Sequence, residues 1–517
     1  MTETDHDPQK AVQELIDELV SAMMNARVYF AAHPRVQLSI EQLASAITNL
    51  TAATREPTLR LAVAGGYILF DNRPVVGASL AAGRLIETLQ HLGSGGLELS
   101  AQCGVDEIRT LVEALSARHQ ERGSYARLNT ALAAQIGDRV RFLPPFRAGE
   151  GGAGAGGSAE SSTLTFEDRD QLGVDSLSQR AIELPTRLYQ NVLGLLQDIT
   201  VTACQGGSIP IGSVFGEAER LLKELDSASG PLLGLAAQHE YDAFTLGHSM
   251  RVTVLAMDFA RGLGASPQAC MAVGVAGLLH DVGKAHVPFE ILHSRRPLTA
   301  EERDLVNTHP EHGARMLLDQ SESEPLAIAA AFGHHRRFDG EGYPRTMHAH
   351  RLSVTTRIVK ICDVYEALTA ARPYKPPMSA VRAYRIMISM AGHFDPWLLR
   401  RFIRRNGVYP TGSNVRLDTG EKAFVLEQRR DLLRPRVLVT TDRDGNELPW
   451  QERQTLDLSE PDAGVGIQRA EVAGTPADLA TSVRQRAATE STPAHAHGSG
   501  EIVAGCCGPI ITDKPAE

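Results

Sequence analysis

From Ser266 to Arg405 the chain reads as helix after helix, and the apolar segments there carry histidine and aspartate at their edges or in their middles. This feature restricts the fold most. Such helices must bury an apolar face, and an ionisable group carried inside with them is costly unless paired, hydrogen-bonded or bound to metal. His280-Asp281 closes the apolar stretch from Met271 to Leu279. Asp363 lies inside Ile358-Val-Lys-Ile-Cys-Asp-Val-Tyr-Glu-Ala-Leu368. His248 stands at the head of an amphipathic helix just upstream, His309 falls in or just after the helix opened by Thr299, and His334-His335 follow the run from Leu326 to Phe332. Taken singly, each has an ordinary reading as a satisfied core histidine, a helix cap or a surface dipeptide. Together they supply five imidazoles and two carboxylates, enough for two cations with open coordination positions. Adjacent helical residues diverge by about 100°, so His280 and Asp281 can grip different sides of one ion, or the aspartate can bridge two. Mixed imidazole and carboxylate donors suit Fe, Mn, Ni or Zn. Two cations sharing a carboxylate supply hydroxide near neutral pH and neutralise phosphate oxygens, so phosphodiester hydrolysis is the reaction this set fits.

Length and composition bound the rest. A chain of 517 residues exceeds one core, so two or three domains with linkers are expected. A formal charge of −10 argues against a general nucleic-acid binder. No apolar run approaches bilayer length, and the acidic opening MTETDHDPQK reads as neither secretory signal nor transit peptide. Six cysteines without metal-type spacing fit reduced thiols, and the cytoplasm is the expected location.

The expected fold class is mainly α: an all-helical catalytic unit with a small α+β N-terminal module and a short C-terminal β extension. Residues 1–146 read as the N-terminal module. Val12, Leu15, Ile16, Leu19 and Met23 give an opening amphipathic helix, and two strands turn at Gly65-Gly66. A helix from about Leu80 to Leu92, a strand Leu97–Leu99 and a helix from about Val105 to Ala117 follow. This module is expected to serve input, partner binding or homodimerisation. Residues 147–165 read as a flexible Gly/Ala/Ser linker and 166–235 as a helical connector. Residues 236–407 form the catalytic unit, with helix starts at Ser266-Pro267, at the Thr299/Glu302 capping box and at Ser379. Residues 408–460 carry three short strands, Val415–Leu417, Ala423–Leu426 and Val437–Thr440, and 461–517 read as a disordered tail.

Several stretches together resemble the HD-GYP family, a branch of the HD superfamily of metal-dependent phosphohydrolases. They are His280-Asp-Val-Gly-Lys284, His309-Pro310, His334-His-Arg-Arg-Phe-Asp-Gly-Glu-Gly-Tyr-Pro344, Ile361-Cys-Asp-Val-Tyr-Glu-Ala-Leu-Thr369 and Arg372-Pro-Tyr-Lys375. The resemblance implies an all-helical HD fold and hydrolysis of cyclic di-GMP to pGpG or onward to GMP. By position it implies metal ligands at His248, His280, Asp281, His309, His334, His335 and Asp363, with Asp281 bridging. Lys284 would contact the scissile phosphate, and Tyr343, Arg372 and Lys375 the substrate. The two glycines of the Asp339–Pro344 loop permit close backbone approach, Tyr343 offers a ring and a hydroxyl, and Arg372 and Lys375 suit phosphate or guanine edges.

Two departures from the family pattern stand out. Many members have glutamate where Arg336 stands, so a base replaces an acid beside the metals, which bears on ligand orientation and activity. Some members carry a third-metal glutamate where this chain has Phe244, so a two-metal centre is expected. Two other functions compete with cyclic di-GMP hydrolysis. One is a sensor or adaptor that binds the dinucleotide or a protein with little turnover, favoured by Arg336. The other is a hydrolase acting on another nucleotide. The sequence names no input signal.

Overall fold

The computed structural model describes residues 8–64, 67–71, 73–75, 78–79, 82–117, 123–145, 176–236, 246–292, 296–320, 322, 324–346, 351–370, 378–449, 452–460 and 464–471. The expected linker and Phe244, Arg372 and Lys375 lie outside them.

The N-terminal module opens with helices α1 (Pro8–Val28) and α2 (Pro34–Thr54). In α1, Leu15, Ile16, Leu19 and Met23 are fully buried, as their spacing predicts. Helix α2 was not read from the sequence. It repeats the pattern with Val36, Ile40, Leu43, Ile47 and Leu50, and His33 caps it by accepting from the Arg35 amide. An antiparallel sheet follows, made of β1 (Thr58–Ala64), β2 (Tyr67–Phe70), β3 (Arg73–Pro74), β4 (Gly96–Ser100) and β5 (Val140–Leu143), in the order β3-β2-β1-β4-β5. Ala64 pairs with Tyr67 on either side of Gly65-Gly66, where the turn was expected and which lie outside the described residues. Leu59, Leu61 and Val63 alternate inward and share one core with α1, α2, α3 (Gly83–His91) and α4 (Val105–Ser116). Helix α5 (Tyr125–Ile136) packs on β5.

Helices α6 (Ser176–Cys204) and α7 (Ile211–Ala236) occupy the stretch expected as a connector. They are more than that: Leu188, Val192, Ile199, Val214, Leu221 and Leu225 belong to the same core as the helices that follow. Those are α8 (Leu246–Gly262), α9 (Pro267–Leu279), α10 (Phe289–Leu292), α11 (Ala300–Val306), α12 (His309–Leu318), α13 (Pro325–Gly333), α14 (Val354–Thr369), α15 (Ala380–Ser389) and α16 (Pro396–Asn406). The expected starts are present. Ser266 accepts from the Ala269 amide, Thr299 and Glu302 form a reciprocal capping box, and Ser379 accepts from the Arg382 amide. Among the described residues no helix is long and apolar enough to cross a membrane.

The C-terminal sheet has strands β6 (Asn414–Leu417), β7 (Lys422–Glu427), β8 (Arg436–Val439), β9 (Thr455–Asp457) and β10 (Ile467–Ala470), in the order β10-β6-β7-β8-β9. Strand β10 corrects the expectation of a tail beginning at residue 461. It pairs with β6, covering backbone groups that an edge strand leaves open, and Val465 and Ile467 pack on a small core around Val415, Leu417 and Val437. The alternation there is too short and too polar to stand out in the sequence.

Candidate metal centre

Helix α8 packs against both α9 and α14. That contact brings the third residue of α8, the residue closing α9 and the middle of α14 to one place. His248, His280 and Asp363 there offer donor atoms within 4.8 Å of one another. The second cluster is made by helix ends. His309 opens α12, His334 and His335 follow α13, and Asp281 follows His280; these four also lie within 4.8 Å of one another by their donor atoms. All seven histidines and aspartates singled out in the sequence therefore meet.

Asp281 links the two clusters through different oxygens. Its Oδ2 lies 3.4 Å from His280 Nε2 and 3.7 Å from His248 Nε2. Its Oδ1 lies 3.3 Å from His309 Nε2 and 3.6 Å from His334 Nε2. On the far side of the first cluster, His248 Nε2 is 3.1 Å from Asp363 Oδ1.

Backbone geometry fixes which ring nitrogen faces inward. The Nδ1–H of His280 donates to the Gly277 carbonyl at 2.7 Å, that of His309 to Val306 at 2.7 Å and that of His334 to Ala330 at 3.0 Å. Each acceptor lies about one turn upstream, so the helix end itself holds the ring and leaves the Nε2 lone pair pointing into the centre. His248 differs. Its Nδ1 meets the buried carboxylate of Glu366, whose other oxygen accepts from Arg251 at 2.6 Å. Neither Glu366 nor Arg251 was singled out in the sequence. The available signal was Glu366 itself, a second carboxylate one turn after Asp363 in an apolar helix that therefore demands a partner just as Asp363 does.

Electrostatics divide the centre. Burial opposes charge on His248, but Glu366 and Asp363 outweigh it and lift the imidazole to about 9. Burial pushes His334 down to about 4 and His335 well below its ordinary value. Asp281 and Asp363 are held far below the usual carboxylate range against the cost of burial, Asp281 by Lys284 and His280, Asp363 by His248.

The residues fit a bound cation. His280 Nε2 and Asp281 Oδ1 are buried without a hydrogen-bond partner. His309 Nε2 and His334 Nε2 lie 3.2 Å apart although both rings spend their Nδ1 protons on carbonyls. Two lone pairs in that position repel unless a positive charge sits between or beside them, the place a bound cation would take.

Lys284 lies on the short 3₁₀ turn Val282–His286 and contacts Asp281 Oδ2. Gly283 lets this turn touch α12, since a Cβ there would lie 2.0 Å from the His309 carbonyl oxygen. Tyr343 stacks on His335 with ring centroids 4.7 Å apart and planes 21° off parallel. Burial, Asp363 and Asp281 push its hydroxyl pKa up, so it remains a donor. Lys360, also missed in the sequence, is buried three residues before Asp363 and donates to the His334 carbonyl at 3.2 Å. Burial lowers its pKa to about 8. Arg336 is buried, its Nε has no hydrogen-bond partner, and it forms no ion pair among the described residues.

Residues 234–398 match the family model described as HD domain. A cyclic di-GMP phosphodiesterase of Pseudomonas aeruginosa is 40% identical over 242 residues, 46% of this chain and 58% of that protein. A 3'3'-cGAMP-specific phosphodiesterase of Vibrio cholerae is 37% identical over 144 residues, 28% of this chain and 33% of the relative. A cyclic di-GMP phosphodiesterase of Thermotoga maritima is 33% identical over 166 residues, 32% of this chain and 45% of the relative. The chain thus spans less than two thirds of the length of each. The segment that carries the clustered residues is an HD domain, and the resemblance read from the motifs agrees with the relatives found.

Proposed function

We propose that this chain is a metal-dependent phosphodiesterase that hydrolyses cyclic di-GMP to pGpG or GMP in bacterial signalling. The observation that carries the reading is the fork of Asp281, whose two oxygens face two separate histidine sets. In this reading His248, His280, Asp363 and Asp281 hold one divalent ion, and His309, His334, His335 and Asp281 the other; Fe, Mn, Ni and Zn all suit these donors. When bound, the ions supply Lewis acidity for in-line attack on a phosphodiester. The protein does the rest. Carbonyl-anchored rings keep the donor atoms aimed inward, burial limits water, and Lys284, next to Asp281, is placed to contact the scissile phosphate. Tyr343 offers a ring for a guanine and a protonated hydroxyl for phosphate. Arg372 and Lys375 complete the proposed substrate contacts from outside the described residues.

The α+β module is proposed as an input or dimerisation domain, and the cytoplasm as the place of action. That placement accords with the free thiols of Cys103, Cys204, Cys270 and Cys362. A second substrate reading has a specific basis: relatives of similar identity are named for 3'3'-cGAMP. Turnover of cyclic di-GMP, 3'3'-cGAMP and a mononucleotide by purified protein, with metal content measured alongside, tests the reading. Cyclic di-GMP should be cleaved fastest, and Asp281→Ala should abolish cleavage and lose metal. Binding without turnover in metal-replete protein would instead favour an adaptor, as would be in keeping with the buried charge of Arg336.

A further inference from the structure

We infer that the two cation positions are unequal, and that Glu366 with Arg251 makes the His248–His280–Asp363 position the tighter one, filled first. The inference rests on the two-cation reading above and adds an order of loading and two positioning residues to it.

The inequality begins with formal charge. The first position has its own carboxylate, Asp363, plus one oxygen of Asp281; the second has three imidazoles and only the other oxygen of Asp281. The surroundings widen the gap. Of the four rings whose Nδ1 partner is resolved, three lean on neutral carbonyls and only His248 leans on a carboxylate. A carboxylate behind an imidazole raises its basicity as a ligand and locks the ring's orientation. Glu366 can remain charged at 1% side-chain exposure because Arg251, itself buried, pairs with it through Nε and Nη2. A buried Glu366 alone would cost stability, whereas the pair delivers negative charge to one ring and cancels it elsewhere. Lys284 works the other way, since its ammonium contacts Asp281 Oδ2 on the first position's side. Its side chain is 21% exposed, so it can withdraw toward water or phosphate as a cation arrives.

Calorimetric titration of Mn²⁺ into chelator-stripped, full-length protein tests this without reference to turnover. Wild type should bind two ions in steps separated by at least about tenfold in affinity. Glu366→Gln should weaken the tighter step by about 10–100-fold, the range for losing such a supporting group, and leave the weaker step in place. His335→Ala should remove the weaker step and leave the tighter one as in wild type. This second variant keeps the test decisive if the glutamine protein folds poorly, which thermal unfolding would report. Two equal steps in wild type, or equal weakening of both by Glu366→Gln, would overturn the inference while leaving the two-cation reading standing. Binding of no ion by wild type would overturn both.

Discussion

Asp281 and its ring of histidines set how the molecule responds to protons. With metal removed by chelator, His334 is depressed to about 4 from an ordinary 6.5, so between those values the unfolded chain takes up a proton that the folded chain refuses. Its contribution to stability is complete above pH 6.5 and is lost as pH falls toward 4. His248 behaves in the opposite sense. Raised to about 9, it contributes fully below 6.5 and loses that contribution as pH climbs through 9. The chelated protein should therefore melt highest near pH 6.5 and lower on both sides, by thermal unfolding in EDTA at about pH 5, 6.5 and 9. Adding Mn²⁺ should flatten the alkaline limb, because the cation takes the place of the His248 proton. A melting temperature that rises steadily to pH 9 in EDTA would contradict the Glu366 and Asp363 contacts as the source of the His248 shift.

At the scale of elements, the loop from Arg336 to Pro344 depends on a close approach that only glycine permits. Gly342 has φ +91°, and a Cβ there would lie 2.5 Å from the His335 carbonyl oxygen. Gly342→Ala should push Tyr343 off the His335 ring, since the residues are adjacent. A displacement of about 1 Å at a reacting site costs about 10²-fold in rate. The expected result is a loss of that order in kcat/KM for cyclic di-GMP with metal content unchanged. A loss of metal together with rate would place the damage at His335 instead.

The same loop shows what could be read in advance. Chemistry-bearing residue types were legible because His280-Asp281 and His334-His335 sit at the ends of strongly apolar helices, where periodicity stops and an ionisable pair begins. Helix starts were legible through Ser266, Thr299 and Ser379, whose caps are local chemistry. What sequence did not show was pairing across helices. Glu366 and Arg251 are 115 positions apart and meet only because α8 lies on α14. Helix α2 escaped notice although its stripe is regular, and β10 because its partner β6 begins 53 residues earlier, from Ile467 back to Asn414.

At the scale of the whole molecule, α6 touches both halves. On one side it meets the N-terminal module: Gln190 Nε2 donates to the Ser79 carbonyl at 2.7 Å, Arg84 pairs with Asp198, and a Cβ on Gly83 would lie 2.9 Å from Gln190 Cβ. On the other it packs against the 3₁₀ turn that carries Lys284, where Cys204 Sγ approaches the Ala285 carbonyl at 3.5 Å. Gly83→Leu should wedge the module away from α6. Coupling between sites is commonly about 5–150-fold, so a change in kcat of about fivefold or more is expected with metal content unchanged. An unaltered kcat, with the wedge verified by faster amide exchange in α6, would mean the module does not govern turnover through this helix.

Such a shared strut has an architectural consequence. If the module receives a signal, as proposed, that signal need not travel through a chain of intermediates, because the surface it would disturb and the turn bearing Lys284 both lie against a single rod. Any module able to present the same contour to that rod could be exchanged for this one, and the proposed metal centre would come under a new master without altering a single donor atom.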